Sequence, residues 1–216
     1  MKPKLIIFDW DGTLADTTNP IIATFRQSFR DCGLEAPDAE KIRSLIGYNL
    51  PTIVRHLIPD AGEHVQEEII EAYSAHYLNP NNRNMRLFGD AVPCLETLKS
   101  QGYWLAVATG KGRTGLDNAI TQTDTARFWT ATACASEQPS KPAPDMVLKL
   151  CDETGLMPSE TLVVGDTTYD LEMAANAGAP AVAVTTGAHT AERLQTAPQL
   201  AVLNSLSELP DFLAGL

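Results

Sequence analysis

The chain has 216 residues, of which 44% are hydrophobic, and its formal net charge at pH 7 is −11. This length and composition predict one large core, or a core with a small inserted domain, and no apolar run approaches the ~20 residues that span a bilayer. The acidic balance excludes nucleic acid as an expected partner, because no basic stripe is present to neutralise phosphates.

The first predicted element is a short buried strand, residues 4–8, which two carboxylates follow. Its apolar run stops at Asp9, too soon for a helix or a signal peptide, so a cytoplasmic location is expected. Asp9 and Asp11 are two residues apart, and an extended chain would point both side chains the same way. Since like charges repel, the pair predicts a bound cation or a shared proton, and Mg²⁺ is a cation that prefers carboxylate and phosphate oxygens. By itself, this segment leaves open a solvated Asp-Gly turn.

No strand pattern occurs in residues 17–82, where only helices are predicted. Gly33 and Gly47 are expected to end two of them. In the last helix, apolar residues recur every four positions and mark one face. That face consists of Val65, Ile69, Tyr73 and Tyr77. The predicted helices cover residues 18–32, 38–46, 49–58 and 63–78.

From residue 90 onward, predicted strands alternate with predicted helices. The strands are expected at residues 103–108, 130–135, 161–164 and 181–185. The helices are expected to begin at Asp90, Pro144 and Tyr169, and to end before Gly102, Gly155 and Gly178. This alternation predicts an α/β fold with a doubly wound parallel sheet. In such sheets ligands bind beyond the carboxyl ends of the strands.

Polar residues follow the later strands at that same edge. Four motifs occur in order: residues 9–13 (Asp-Trp-Asp-Gly-Thr), residues 109–111 (Thr-Gly-Lys), residues 140–145 (Ser-Lys-Pro-Ala-Pro-Asp) and residues 165–170 (Gly-Asp-Thr-Thr-Tyr-Asp). In this combination the chain resembles the haloacid dehalogenase (HAD) superfamily, and within it the phosphoglycolate phosphatase-like subfamily with a helical cap. One such motif would be weak evidence, whereas four in order are specific.

The resemblance implies a Rossmann-like HAD core, residues 1–15 and 83–216, and an inserted small helical cap domain, residues 16–82. The outgoing hinge would lie at residues 15–17, and the turn-rich residues 79–82 would form the return hinge. The cap would select the substrate. Arg43, in a loop that resembles the substrate-facing loop of the subfamily, could contact an anionic substrate tail, although a surface arginine is the more ordinary interpretation.

The activity implied by the resemblance is that of a Mg²⁺-dependent phosphatase. It would hydrolyse a small phosphorylated metabolite, phosphoglycolate-like or sugar-phosphate-like, through an aspartyl-phosphate intermediate. Asp9 would be the nucleophile, and Asp11 the general acid and then the general base. The implied metal set is Asp9, Asp11 through its backbone carbonyl, Asp166, and Asp170 either directly or through water.

The resemblance also implies a phosphate-binding set of Thr109, Gly110 and Lys141. Taken alone, Thr109 could simply end a strand, and Lys141 could be a solvated loop residue. The interpretation of Lys111 and Arg113 leans slightly towards ordinary surface charges. The four histidines show no metal spacing, and the four cysteines show no Cys-x-x-Cys spacing, so both sets are expected to be structural.

Two alternatives remain at this point. One is a sugar-phosphate mutase similar to beta-phosphoglucomutase, and the other is a non-catalytic binding protein on a HAD scaffold. The cap shows no clear Lys and His pair that would indicate the mutase, and the intact set of acidic motifs argues against the binding protein. Two residues depart from the family pattern: Gly110 stands where Asn is common, and Trp10 where Leu or Met is usual. A monomer or a homodimer is expected.

Overall fold

The fold is built on a parallel six-stranded sheet with the strand order β3-β2-β1-β4-β5-β6. The computed structural model describes residues 2–79 and 85–216. The strands are β1 (Leu5–Phe8), β2 (Trp104–Thr109), β3 (Trp129–Cys134), β4 (Thr161–Gly165), β5 (Ala181–Val184) and β6 (Val202–Leu203). The predicted α/β class is confirmed, and each predicted strand is found within one residue of its expected bounds. The strand β6 was not predicted, because two residues carry too little periodicity.

The helices confirm the predicted alternation. In chain order they are α1 (Thr18–Asp31), α2 (Ala39–Arg43), α3 (Leu50–Leu57), α4 (Glu63–Tyr77), α5 (Ala91–Ser100), α6 (Arg113–Thr123), α7 (Asp145–Thr154), α8 (Thr168–Ala177), α9 (Ala191–Leu194) and α10 (Leu209–Ala214). Gly155 and Gly178 end α7 and α8 in the left-handed conformation, as their positions predicted. Asp90 precedes α5 but does not cap it with its side chain, which instead accepts a hydrogen bond from the Ser207 amide.

The sheet is covered on both faces, which explains why its strands are continuously apolar. Along β1, Ile6 and Phe8 pack into one hydrophobic cluster, and Leu5 and Ile7 pack into another on the opposite face. All four side chains are fully buried. Burial of each such side chain contributes about 1.5–3 kcal/mol to the free energy of unfolding. The strand ends that carry the polar motifs therefore stand on a rigid base.

Helices α1 to α4 form a helical segment, residues 18–77, whose side chains build a third hydrophobic cluster that also includes Ala188. Ile69 is fully buried there, and Val65 and Tyr73 pack against the same cluster, as the four-residue spacing predicted. Tyr77, expected on the same face, instead reaches Lys111 of the sheet domain. These helices therefore bury an apolar core separate from the two faces of the sheet.

The chain leaves the sheet and returns to it along neighbouring paths. Ala15 forms an isolated antiparallel bridge with Leu87, and the Asp16 amide donates to the Arg86 carbonyl at 2.9 Å. The outgoing hinge predicted at residues 15–17 lies beside this crossing. The return hinge predicted at residues 79–82 falls mostly outside the described residues, so the division into residues 16–82 and the remainder stays a prediction. Within the described part of the chain, no helix combines the length and apolarity that crossing a bilayer requires.

Candidate active site

The carboxyl ends of three neighbouring strands bring the polar motifs together. Phe8 at the end of β1 is paired with Val107 of β2 on one side and with Val164 of β4 on the other. Asp9, Thr109 and Asp166 follow these paired positions directly or closely. Motifs more than 150 residues apart in the sequence thus meet at one edge of the sheet.

Three carboxylates form the centre of the site. Asp9, Asp166 and Asp170 are buried, and one oxygen atom from each lies within 4.8 Å of the others. Lys141 joins them with a fully buried side chain, its Nζ lying 2.6 Å from Asp9 Oδ1 and 2.6 Å from Asp170 Oδ1. Three carboxylates around one ammonium group carry an excess of negative charge when all are ionised.

This crowding shifts the pKa values of the buried groups. Burial raises the pKa of Asp9 to about 7, the ammonium group of Lys141 partly opposes that shift, and Asp170 adds to it. Burial and the neighbouring Asp9 and Asp170 carboxylates raise the pKa of Asp166 well above its ordinary value. Burial lowers the pKa of Lys141, but its ion pairs with Asp170 and Asp9 outweigh that effect and raise it overall. The two ion pairs therefore favour the protonated form of Lys141.

The donor set fits Mg²⁺. All three side chains offer oxygen atoms, which are the ligands Mg²⁺ prefers, and a divalent cation would neutralise the charge that Lys141 leaves uncompensated. The carboxylate of Asp11 does not belong to this group, and only its backbone carbonyl was expected to bind metal. Asp170 and Thr167 also cap each other at the start of α8. Asp170 therefore has a structural role as a helix cap in addition to the metal-binding role expected for it.

The surroundings of the Asp166 carboxylate explain why the first motif contains Gly12 and Thr13. Gly12 has a φ of +83°, and a Cβ atom there would lie 2.3 Å from Asp166 Oδ2. Thr13 donates its hydroxyl to Asp166 Oδ1 at 2.7 Å, and the Ala188 amide donates to Asp166 Oδ2 at 2.8 Å. Thr13 and Ala188 were not among the predicted site residues. The threonine of the first motif was a sequence signal for Thr13, whereas no sequence feature indicated Ala188.

Asp11 is held apart from the three-carboxylate centre by two neighbours. Thr17 donates its hydroxyl to Asp11 Oδ1 at 2.6 Å, and Lys111 Nζ lies 2.7 Å from the same oxygen. Lys111 Nζ also bonds the Tyr77 hydroxyl. The interpretation of Lys111 as a surface charge was wrong, because its side chain is only 5% exposed and is paired with Asp11. Lys111 and Asp11 are 100 residues apart in the sequence, so no local sequence pattern indicates this pairing.

Thr109 and Gly110 lie beside these carboxylates. Thr109 is fully buried, and its Oγ1 accepts a hydrogen bond from the Lys111 amide, so its O–H can still donate to a phosphoryl oxygen. Gly110 faces residues of the helical segment: a Cβ atom there would lie 2.7 Å from the Tyr48 carbonyl oxygen and 2.9 Å from that of Gly47. The glycine therefore permits a close approach that any larger residue would prevent.

Among the described contacts, the side chains of the remaining candidates form no hydrogen bond or ion pair with the three carboxylates or with that of Asp11. Arg113 pairs with Glu137 at 2.7 Å and is partly exposed, and Arg43 pairs with Glu40 and contacts Asn19 on the surface. Trp10 is fully buried against Trp129 and does not border the cavity above Asp9. His189 accepts a hydrogen bond from the Thr168 amide, and burial lowers its pKa to about 4, consistent with a structural role. The four cysteines form no disulfide with one another.

A cavity of about 460 Å³ opens above Asp9 and Asp11 and extends into the helical segment. From the sheet side it is bordered by residues 110–115 and by Ala135 and Ser136. From the helical side it is bordered by parts of α1, α3 and α4 and by the loop that contains Gly47. A substrate in this cavity would lie between the carboxylates and the helices.

Comparisons with known proteins bear on the family to which the chain belongs. A family model described as haloacid dehalogenase-like hydrolase matches residues 6–184. The "Probable phosphatase IndB" of Dickeya dadantii (strain 3937) is 34% identical over 97% of this chain and 92% of its own length. The phosphoglycolate phosphatase of Aquifex aeolicus (strain VF5) is 27% identical over 81% of each chain. A crystal structure from Bacteroides fragilis, described as a haloacid dehalogenase-like hydrolase, superposes with a TM-score of 0.90, is 28% identical, and covers 96% of this chain and 100% of its own.

Proposed function

Since the chain belongs to the haloacid dehalogenase-like hydrolase family and is a phosphoric monoester hydrolase, we propose that it hydrolyses a small phosphorylated metabolite with Mg²⁺ through an aspartyl-phosphate intermediate. One observation carries this proposal. Asp9 lies buried between Lys141 and two further carboxylates, and a cavity opens directly above it. Asp11 borders the same cavity and is held by separate partners, so the two carboxylates can take different roles.

In the first step Asp9 attacks the phosphorus atom of the monoester. A bond forms between a carboxylate oxygen of Asp9 and phosphorus, and the bond from phosphorus to the alcohol oxygen breaks. Asp11 donates its proton to that oxygen, and the alcohol leaves in neutral form. Thr109, the Gly110 amide and Lys141 hold the phosphoryl oxygens, so that the group remains in line during the transfer.

Mg²⁺ bound by Asp9, Asp166 and Asp170 and by the Asp11 carbonyl would neutralise the negative charge of the phosphoryl group. Lys141 contributes a fixed positive charge on the same side. Asp166 is oriented by Thr13 and the Ala188 amide. Each of these residues acts by holding charge in place, which is the main task of a protein in phosphoryl transfer.

In the second step a water molecule hydrolyses the aspartyl-phosphate. Asp11, now ionised, removes a proton from the water as its oxygen attacks phosphorus. The bond between Asp9 and phosphorus breaks, inorganic phosphate is released, and Asp11 again carries a proton. Lys111 and Thr17 keep the Asp11 carboxylate in position for both proton transfers.

The test is phosphate release from a panel of phosphorylated metabolites, measured with Mg²⁺ and with EDTA, for the wild-type protein and Asp9→Asn. We expect release that requires Mg²⁺ and that falls by at least about 10³-fold in the variant, because the nucleophile is lost. The thermal unfolding of the variant should stay cooperative. Substantial activity in Asp9→Asn would remove Asp9 as the nucleophile, and undiminished release in EDTA would remove the metal.

A further inference from the structure

The upper part of the cavity is walled by aromatic and aliphatic side chains. Phe25 lies against Tyr73, with ring centroids 4.3 Å apart, and Tyr73 stacks on Tyr77 at 5.9 Å with an interplanar angle of 8°. These three rings form an aromatic wall that reaches from the core of the helical segment to Lys111. Aliphatic residues of the same segment and of the position that follows it complete the lining: Ile21, Ile46, Leu50, Pro51, Ile53 and Leu78.

The positive charges that border the cavity are already paired. Among the described lining residues, only Lys111 and Arg113 are basic. Lys111 Nζ lies 2.7 Å from Asp11 Oδ1 and 4.7 Å from the centroid of the Tyr77 ring. Arg113 pairs with both carboxylate oxygens of Glu137, at 2.7 and 2.9 Å. A carboxylate on the substrate would therefore find no uncommitted cation among these residues.

Desolvating a charged group without a partner is unfavourable, whereas transfer of an apolar ring into such surroundings is favourable. The volume of the cavity also favours a ring-bearing group over a short charged one. About 460 Å³ lies within the range of pockets that enclose ring-containing ligands, and a two-carbon acid would leave most of it empty. The aromatic wall, the pairing of the basic residues and the volume of the cavity all disfavour a substrate with a short anionic tail.

We propose, building on the phosphatase function above, that the alcohol part of the substrate is an uncharged group bearing a planar ring, which packs against Phe25, Tyr73 and Tyr77. The phosphate of the same molecule lies over Asp9, which borders the other end of the cavity and is paired with the buried Lys141. The substrate is then of a different class from phosphoglycolate, which the relative from Aquifex aeolicus is named for. The aromatic wall supplies the specificity, and the sheet residues supply the chemistry.

The test compares kcat/KM, at saturating Mg²⁺, for 2-phenylethyl phosphate, ethyl phosphate and 2-phosphoglycolate. All three are esters of aliphatic alcohols, so the comparison reports binding of the alcohol part more than leaving-group chemistry. We expect kcat/KM for 2-phenylethyl phosphate to exceed each of the others by at least about tenfold, because the ring buries apolar area against the wall. Equal or better turnover of 2-phosphoglycolate would overturn the proposal.

A charge introduced into the wall provides the matched variant. Ser74 borders the cavity from α4, next to Tyr73, and its hydroxyl bonds only a carbonyl of its own helix in the contacts described. Ser74→Arg should raise the ratio of kcat/KM for 2-phosphoglycolate over 2-phenylethyl phosphate by about tenfold or more, while Ser74→Gln, uncharged, should not. An unchanged ratio in Ser74→Arg would contradict the assignment of this cavity to the alcohol part.

The activated ester p-nitrophenyl phosphate separates failure of this inference from failure of the phosphatase proposal. If it is hydrolysed with Mg²⁺ but 2-phenylethyl phosphate shows no advantage over ethyl phosphate, the phosphatase function stands and the ring-bearing substrate is rejected. If none of the four esters releases phosphate, the phosphatase proposal fails, and the inference that rests on it fails with it.

Discussion

The ion pair between Lys111 and Asp11 ties the proposed general acid to the wall of the cavity. Lys111 is nearly buried and bonds both Asp11 and the Tyr77 hydroxyl. Burial lowers the pKa of Lys111, but the nearby Asp11 and Tyr77 outweigh that effect and raise it overall. The side chain is thus favoured in its charged form and links Tyr77 of the helical segment to Asp11, the proposed general acid.

Replacing Lys111 should therefore impair the chemistry. We expect Lys111→Met to lower kcat by about 10²-fold, because general acid catalysis contributes 10²–10⁴-fold and depends on the position of Asp11. Arg113→Met is the matched control, since Arg113 borders the same cavity but forms a partly exposed pair with Glu137, and its kcat should change by less than about tenfold. Equal losses in the two variants would show that Lys111 does not act through Asp11.

The raised pKa of Asp9 makes metal binding depend on pH. A cation must displace the proton that Asp9 carries below a pKa of about 7, so Mg²⁺ affinity should fall by up to about tenfold per pH unit below that value. In the metal-free protein, the pH dependence of stability has the opposite sign to the pH dependence of Mg²⁺ affinity. The folded state holds this proton more tightly than the unfolded state, whose Asp9 has its ordinary pKa of 3.8, so the contribution of Asp9 to stability declines as pH rises from 3.8 to about 7.

The measurement is the increase in Tm caused by a fixed concentration of Mg²⁺ at about pH 6 and about pH 8. We expect the larger increase at the higher pH. Asp9→Asn should show a smaller increase that varies less with pH, because the variant has no proton to lose at this position. An increase in the wild-type protein that is the same at both pH values would contradict the assignment of Asp9 to the cation site.

At the level of elements, one loop of the helical segment rests on the edge of the sheet. Tyr48 lies over Tyr169 with ring centroids 3.9 Å apart, and the Tyr169 hydroxyl donates to the Ser44 carbonyl at 2.8 Å. The Asn49 amide donates to Ser140 Oγ at 2.9 Å, next to Lys141. This loop therefore covers the proposed phosphate end of the cavity through contacts with two of the sequence motifs.

Gly110 permits that contact, and its replacement should disturb it. We expect Gly110→Asn to lower kcat/KM by about tenfold or more and Tm by several degrees, because its Cβ would meet the Tyr48 and Gly47 carbonyls. Gly112→Ala is the control, since the nearest atom to a Cβ there is 4.0 Å away. If Gly110→Asn matched the wild-type protein in both kcat/KM and Tm, the loop would not need to approach this closely for function.

At the scale of the whole molecule, the net charge of −11 opposes the approach of an anionic substrate. The cations at the site are few and paired, so local attraction must act against the field of the remaining surface. Salt screens such long-range repulsion over about 8–10 Å near physiological ionic strength. The rate of productive encounter should therefore depend on ionic strength.

We expect kcat/KM for a phosphate monoester to rise by about twofold as NaCl increases from about 20 to about 150 mM at saturating Mg²⁺. The value of kcat at saturating substrate should stay nearly constant, because the bound state is screened less. Steady-state kinetics over that range provides the measurement. A fall in kcat/KM with salt would show that attraction by the site dominates over repulsion by the rest of the protein.

Local sequence patterns in this chain predict the features that depend on residues close to one another in the sequence. Four-residue to six-residue apolar runs predicted the strands, glycines at φ > 0 marked the ends of α7 and α8, and carboxylates placed directly after β1 and β4 predicted an acidic centre at one edge of the sheet. The short strand β6 escaped because it has only two residues. These features follow from periodicity and backbone preference, which act over a few residues.

The tertiary structure alone decided the contacts between distant residues that no motif predicted. Lys111 pairs with Asp11 across 100 positions, Gly110 touches the carbonyls of a loop near residue 48, and three rings from α1 and α4 line the cavity above Asp9. A lysine after a strand has the same local sequence whether it is solvated or buried, because its pKa and its partners depend on elements brought to it by folding. The sequence by itself therefore determined the fold class and the acidic chemistry of this protein, and packing determined the charge pairing and the shape of its cavity.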